Sequence, residues 1–142
     1  MTMHTAVEVA QAVTDALNAH EFSVPFTAER VALPAFTLEE MKDLHVTVVP
    51  REIASNILDR ARDEDEVKVD VAVQKKVASA AVEEVDPLLA LVQEISDFLN
   101  RAAMGDATWK KTENKPVYAP EHLREKQQFT SVLTVTYRMV RG

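Results

Sequence analysis

The stretch EVKVDVAVQ, residues 66–74, decides the fold class of this chain. Valine alternates in it with charged, polar or small residues. A period of two places every second side chain on one side, so the stretch predicts a β-strand with one apolar and one polar face. The apolar face consists of Val67, Val69, Val71 and Val73.

Two strands are predicted upstream of it. Residues 30–36 form the first, where Pro34 indicates an edge position or a bulge. Residues 44–49 are rich in β-branched residues and form the second. Residues 37–40, between them, read TLEE, a short capped turn in which Thr37 and Glu40 satisfy each other's backbone N–H groups.

The connection between the second and third strands is long and highly charged. We interpret residues 50–66 as a charged hairpin extension or a loop, mobile at its tip. If several copies of the protein surround a channel, the exposed charge of this segment makes it the predicted contact with the channel lumen or with a neighbouring copy. The charged residues of this segment are Arg51, Glu52, Asp59, Arg60, Arg62, Asp63, Glu64, Asp65 and Glu66.

Two amphipathic segments predict the main helices. Residues 5–19 carry apolar side chains at helical spacing. For the second helix, Asp86 is the predicted N-cap and Pro87 the first helical residue. A wide apolar stripe follows, and Gly105 is the predicted stop.

The C-terminal part predicts two further strands. One lies around residues 107–111 and resumes at 117–118, and residues 120–127 form a helical turn. The last strand, residues 128–140, is largely uncharged on both sides, which is typical of a strand covered on both faces. The whole chain, residues 1–142, is thus predicted to be one α+β domain of order α-β-β-β-α-β-β, with two main helices packed on a mixed or antiparallel sheet of about five strands.

Composition excludes several kinds of chemistry. The absence of cysteine rules out disulfides and thiol catalysis, and two glycines cannot build a phosphate-binding loop. A net charge of −7 disfavours a nucleic-acid-binding surface. The four histidines are dispersed, without metal-ligand spacing. We therefore predict no cofactor, no metal and no enzymatic activity; the enzyme alternative is a site assembled from His45, Glu121 and His122.

Two further expectations concern Trp109 and the location of the protein. Trp109 is interpreted as a packed side chain at a strand end, with a subunit-interface anchor as the alternative. The sequence has neither a signal peptide nor an apolar run of the ~20 residues that a membrane helix needs, so we expect a soluble protein made and used in a cytoplasm or inside an assembly built there.

Three stretches carry a family resemblance. They are LHVTVVP (44–50), VKVDVAVQKKV (67–77), and YAPEHL (118–123) followed by FTSVLTVTY (129–137). With these the chain resembles, over nearly its full length, the small tail terminator proteins of long-tailed phages, also called tail completion or head-to-tail joining proteins. The resemblance implies a sheet with helices packed on it and a structural role in the virion rather than catalysis.

The resemblance also implies an assembly. Such subunits form a homo-hexameric ring on the head-proximal end of the tail tube, where the ring ends tube polymerisation and presents a surface to the neck. The implied partners are other copies of the chain, the tail tube protein and a head-closure or neck protein. The implied location is the tail–neck junction of a virion assembled in the host cytoplasm, with DNA passing through the lumen without specific binding.

In such a ring, the carboxylates of residues 59–66 would form a negative collar that repels DNA phosphates; the alternative is a solvated hairpin tip. Two other functions stay open. One is a different neck ring, either a head-closure protein or a connector adaptor. The other is a small interaction or regulatory domain outside any virion.

Overall fold

Five strands and three helices are formed by the residues that the computed structural model describes, which are 5–32, 42–78 and 81–141. In chain order the elements are α1 (Thr5–Ala19), β1 (Ala28–Arg30), β2 (His45–Ile57), β3 (Asp63–Lys76), α2 (Val82–Leu99), β4 (Thr108–Glu113), α3 (Pro120–Lys126) and β5 (Gln128–Arg141). The predicted α+β domain with a mixed sheet of five strands is confirmed.

The strands form one sheet in the order β1-β2-β3-β5-β4. β1 is parallel to β2, and all other neighbouring strands are antiparallel. β2 and β3 form a long hairpin, and β5, the last strand in the chain, inserts between β3 and β4. The central pair of the sheet therefore joins segments that are far apart in sequence.

The hydrophobic core lies on one face of this sheet. The four valines of β3 that the alternation assigned to the apolar face are all fully buried. Their cross-strand partners on β5, Tyr137, Val135, Leu133 and Ser131, are buried as well. All three helices contribute buried residues to the same core cluster. The opposite side of the sheet, where the side chains alternate with these core residues, is called the second face below.

α1 has the predicted bounds and packs on β1, β2 and β3. Val9, Val13 and Leu17 bury its apolar side. Asn18 fixes the end of the helix to β1: its side-chain amide donates to the Ala28 carbonyl (3.1 Å), and its oxygen accepts from the Ala28 N–H (2.7 Å). The helix is thereby joined to the sheet edge by hydrogen bonds as well as by apolar burial.

α2 differs from the prediction at both ends. It begins at Val82, with Ala81 as the N-cap, so Asp86 and Pro87 lie inside the helix and the predicted start was wrong. An extra N-terminal turn buries Val85 to 5% exposure, and this burial opposes the cost of an internal proline. The helix ends at Leu99, before Gly105.

Gly105 serves a different turn. Its φ is 62°, in the left-handed region that glycine adopts without strain, and it lies between Met104 and Ala107, which exchange backbone hydrogen bonds of 2.8 and 3.0 Å. Arg101 takes the left-handed conformation just after the helix, at φ 66°. The predicted stop was therefore wrong because a different residue turns the chain.

Several strand bounds also changed. β1 covers Ala28–Arg30 and so begins two residues before the predicted strand; the rest of that prediction, residues 33–36 with Pro34, and the turn at residues 37–40 lie outside the described residues. β4 covers Thr108–Glu113 and does not resume at residues 117–118, which lie in a bend. β5 was expected to be covered on both faces, but Arg138 and Val140 are exposed on the second face, so that expectation was wrong.

Candidate functional site

The charged segment predicted from the sequence forms a two-stranded ribbon. β2 and β3 continue their pairing as far as Ile57 and Asp63, so the hairpin interpretation of residues 50–66 holds and the loop interpretation was wrong. We call residues 50–66 the ribbon. The ribbon is the site at which most of the predicted contact residues lie.

The tip of the ribbon is a hydrogen-bonded turn built around Asp59. One carboxylate oxygen accepts from the backbone N–H groups of Ala61 and Arg62, each at 2.9 Å, and the other accepts from Arg62 Nε at 2.8 Å. The Arg62 guanidinium, followed by the Ala61 N–H, holds the pKa of Asp59 below its ordinary value. Arg60 is exposed at the same turn. The tip predicted to be mobile thus has a defined hydrogen-bonded geometry.

The acidic residues of β3 are paired across the sheet on the second face. Glu64 accepts from Arg138 Nε at 2.7 Å, and Glu66 accepts from Lys110 Nζ at 2.5 Å. Lys110 also keeps the pKa of Glu66 below its ordinary value, chiefly through that hydrogen bond. These ion pairs tie the ribbon to β5 and β4 and neutralise carboxylates that the sequence suggested as a negative collar.

Asp65 points to the other side of the ribbon and is fully buried. Ser55 Oγ, directly opposite on β2, donates to its carboxylate at 2.6 Å. Of the predicted contact residues, Asp65 is therefore the one that is buried. It is a structural group of the ribbon rather than a surface charge.

The middle of the second face is a shallow polar concavity of about 790 Å³. At its floor, Thr134 Oγ1 donates to Asp70 Oδ1 at 2.8 Å, and Arg51 Nη1 donates to Thr134 Oγ1 at 3.2 Å. Glu113, at one side, pairs with Lys115 at 3.1 Å and Lys111 at 3.3 Å. Both lysines hold the pKa of Glu113 below its ordinary value, Lys115 more strongly.

The concavity therefore has charges of both signs in alternation. Lys68 and Glu52 form a further pair at 3.3 Å. Paired, half-exposed charges present a wetted surface with little net potential, because each ion's field is cancelled by its neighbour. Such a surface suits contact with a hydrated, mobile partner better than tight binding of a small molecule.

The ribbon also exposes apolar side chains that the sequence prediction passed over. Ile57 is 85% exposed, Ile53 42% and Leu58 38%. Ile53 and Ile57 have the same strand parity as the buried valines. Ile53 and Ile57 stand at even spacing within the charged stretch, and this was the sequence signal available to find them.

Trp109 packs against the core, half-buried, as the packing interpretation predicted. Its indole N–H donates to Thr112 Oγ1 at 2.9 Å, and Thr112 in turn donates to Asn100 Oδ1 at 2.9 Å. Asn100 caps the end of α2. The tryptophan therefore links β4 to the helix rather than standing free at the surface.

The histidines do not converge. His122 Nδ1 lies 3.1 Å from Thr130 Oγ1. His45 is two strands away from Thr130, across Gln74, which corresponds to about 10 Å. His20 stacks on Phe98 with ring centroids 4.3 Å apart. Within residues 5–32, 42–78 and 81–141, no three histidine or acidic side chains are grouped to hold a metal ion.

None of the described helices is both long and apolar enough to span a membrane. No protein-family model matches the chain, and no curated protein matches it.

Proposed function

We propose that this chain is a structural subunit of a phage virion, a tail terminator that forms a ring at the head-proximal end of the tail tube and joins the tail to the neck. The observation that carries the proposal is the one-sided sheet. Its core and helices lie on one face, and the second face and the ribbon present ion-paired charge and exposed isoleucines. This division suits a subunit that meets neighbours on one side and an aqueous channel on the other.

The paired charges of the second face support its proposed role as the wall of the lumen. DNA that must slide needs a wall without a net positive potential, because unpaired lysine and arginine bind phosphates. Lys110, Arg138 and Lys68 are each held by a carboxylate. We therefore propose that DNA passes such a ring without specific binding, and that the ring's partners are its own copies, the tail tube protein and a neck protein.

The fold also bears on the neighbouring roles in the neck. An open sheet of five strands with three helices on one face differs from the small β-barrels of head-closure rings and from the more helical connector adaptors. We therefore favour the terminator over these two rings. The location proposed for the assembled ring is the tail–neck junction, after assembly in the host cytoplasm.

The experiment is to remove the gene from the phage genome that carries it and to examine the lysate by negative-stain electron microscopy. Overlong, irregular tails separate from filled heads are the expected result, since uncapped tubes keep growing. Tails of normal length that fail to join heads would place the protein in another neck ring. Intact, infectious particles would overturn the virion role and favour the interaction or regulatory domain.

A further inference from the structure

The loop between α1 and β1 encloses a pocket of about 290 Å³. The loop consists of residues 20–26, and six of its residues line the pocket: His20, Glu21, Phe22, Val24, Pro25 and Phe26. None of these described lining residues belongs to the ribbon or to the second face. A volume of this size lies at the lower limit for small-molecule sites, so it has room for one side chain rather than for a large ligand.

Two contacts hold this loop against α2. Ser23, the loop residue that does not line the pocket, donates its backbone N–H to Glu94 at 3.1 Å and its hydroxyl to the other oxygen of the same carboxylate. The His20 ring stacks on Phe98 of α2, with ring centroids 4.3 Å apart. The pocket is therefore formed in the free protein, and a partner would not have to order the loop in order to bind.

Aromatic rings make up much of the pocket lining. Phe22 and Phe26 are stacked with centroids 5.1 Å apart, and His20 meets Phe22 edge-on at 4.6 Å. Both phenylalanines remain partly exposed. The face of an aromatic ring carries partial negative charge and attracts a cation placed within about 6 Å of its centre. The lining therefore favours a cation over an anion.

The charges at the pocket have the same preference. Glu21 is exposed and lines the pocket, whereas no lysine or arginine is among the described lining residues. The Ser23 hydroxyl, and then its N–H, hold the pKa of nearby Glu94 below its ordinary value, so this carboxylate is ionised at neutral pH. α1 ends at Ala19 without a basic residue in its last turn. Its C-terminus adds partial negative charge immediately before the loop.

We propose that this pocket binds the guanidinium group of an arginine side chain on a partner protein. A guanidinium is planar, stacks on aromatic faces, pairs with carboxylates and is less strongly hydrated than an ammonium group. Arginine and aromatic residues are also the types enriched where proteins bind each other most tightly. Binding at this pocket does not require the ring of the proposed function.

A titration with isolated side chains tests the pocket directly. The full-length protein is mixed with N-acetylarginine amide, and the aromatic NMR signals of Phe22 and Phe26 are followed. The matched ligand is N-acetylcitrulline amide, in which a neutral urea group replaces the guanidinium. We expect saturable shifts with the arginine compound at a Kd of about 1–50 mM, the range for a cation–π contact beside one carboxylate. The citrulline compound should bind much more weakly.

Variants of the pocket locate the binding. Glu21→Gln removes the exposed carboxylate and should raise the Kd about twofold to fivefold. Glu29→Gln, an exposed residue of β1 outside the pocket lining, loses the same charge and should leave the Kd unchanged. Phe26→Leu removes one ring but keeps an apolar side chain, and should raise the Kd at least about twofold. Circular dichroism verifies that each variant is folded.

Four results would overturn the assignment. Absence of saturable shifts up to about 100 mM of the arginine compound would reject the site. Equal affinity for the citrulline compound would show that charge is not recognised. Equal affinity for N-acetyllysine amide would remove the preference for a guanidinium. Equal weakening by Glu21→Gln and Glu29→Gln would trace the effect to the overall charge of the protein rather than to this pocket.

Discussion

The two halves of the β2–β3 hairpin have one backbone geometry and opposite surroundings. In the half near β1, Val48 and Val71 are paired and fully buried beneath α1. In the ribbon, Ile53 and Ile57 have the same strand parity and are exposed. The same strand parity therefore gives buried side chains in one half of the hairpin and exposed side chains in the other.

The largest expected effect contrasts two aspartates placed on the same face. Val71→Asp buries an uncompensated carboxylate and should cost more than about 4 kcal/mol, enough to unfold the protein. Ile57→Asp, 85% exposed before substitution, should change the free energy of unfolding by less than about 0.5 kcal/mol. Urea unfolding followed by circular dichroism measures both. Similar losses from the two variants would mean that the ribbon belongs to the core.

A smaller contrast in stability is expected when a leucine of the core and a leucine of the ribbon are each truncated to alanine. Leu91→Ala removes a fully buried side chain of α2 and should cost about 2–5 kcal/mol. Leu58→Ala, at the ribbon tip and 38% exposed, should cost less than about 1 kcal/mol. The urea midpoints of the two variants give the comparison. A ribbon leucine as costly as Leu91 would contradict the division of the hairpin.

Loss of a hydrogen bond should affect the whole domain in the first region and chiefly the ribbon in the second. Asn18→Ala removes both bonds between α1 and β1 and should lower global stability by about 1–2 kcal/mol. Ser55→Ala removes the bond to Asp65 in the ribbon and should cost about 1 kcal/mol. Amide hydrogen exchange distinguishes them, because Ser55→Ala should accelerate exchange chiefly in residues 52–66. Uniform acceleration in both variants would show that the ribbon opens only with the whole domain.

Acid should give the smallest effect. Glu94 accepts hydrogen bonds from the backbone N–H and the hydroxyl of Ser23. The pKa values of Asp59, Glu66, Glu94 and Glu113 are lowered by hydrogen bonds, so the folded state holds fewer protons than the unfolded state. Their contribution to stability is therefore present above the ordinary carboxyl pKa of about 4 and is lost as the pH falls through the lowered values.

Thermal unfolding measured between about pH 7 and pH 3 tests this expectation. The melting temperature should fall toward acid, and Glu66→Gln should make the fall shallower, because its ion pair with Lys110 no longer titrates. Glu83→Gln, an exposed carboxylate in the first turn of α2, is the matched control. A melting temperature that rises toward acid would contradict the assigned direction.

The sequence was most informative where the alternation of apolar residues along a strand agrees with the burial of those residues in the fold. Alternation in residues 66–74 identified the core valines because helices cover that half of β3. The same reasoning missed Ile53 and Ile57, because strand period shows which side a residue faces and not whether a helix reaches it. It also placed the start of α2 at Pro87, since a proline at the first helical position is the common arrangement and the burial of Val85 is a tertiary effect.

The ion pairs of the second face were beyond sequence reasoning for a different reason. Lys110 meets Glu66 only because β5 inserts between β3 and β4. Neither charge is near the other in the chain, and strand order is not encoded in any local pattern. The sequence therefore predicted lumen or subunit contact for ribbon charges such as Glu64 and Glu66, which the fold pairs with other residues of the same chain.

The insertion of β5 between β3 and β4 has a consequence for synthesis. Lys76 pairs with Gln128 and Asp63 with Arg141, so half of the pairing of β3 awaits residues translated more than fifty positions later. At roughly 5–20 residues per second, the 65 residues between 76 and 141 take roughly 3–13 s to make. Throughout this interval one edge of β3 lacks the strand that closes it in the finished sheet. Losses to aggregation are therefore expected on the ribosome, before the last strand arrives, and the yield of folded protein should depend on chaperones that protect this nascent hairpin.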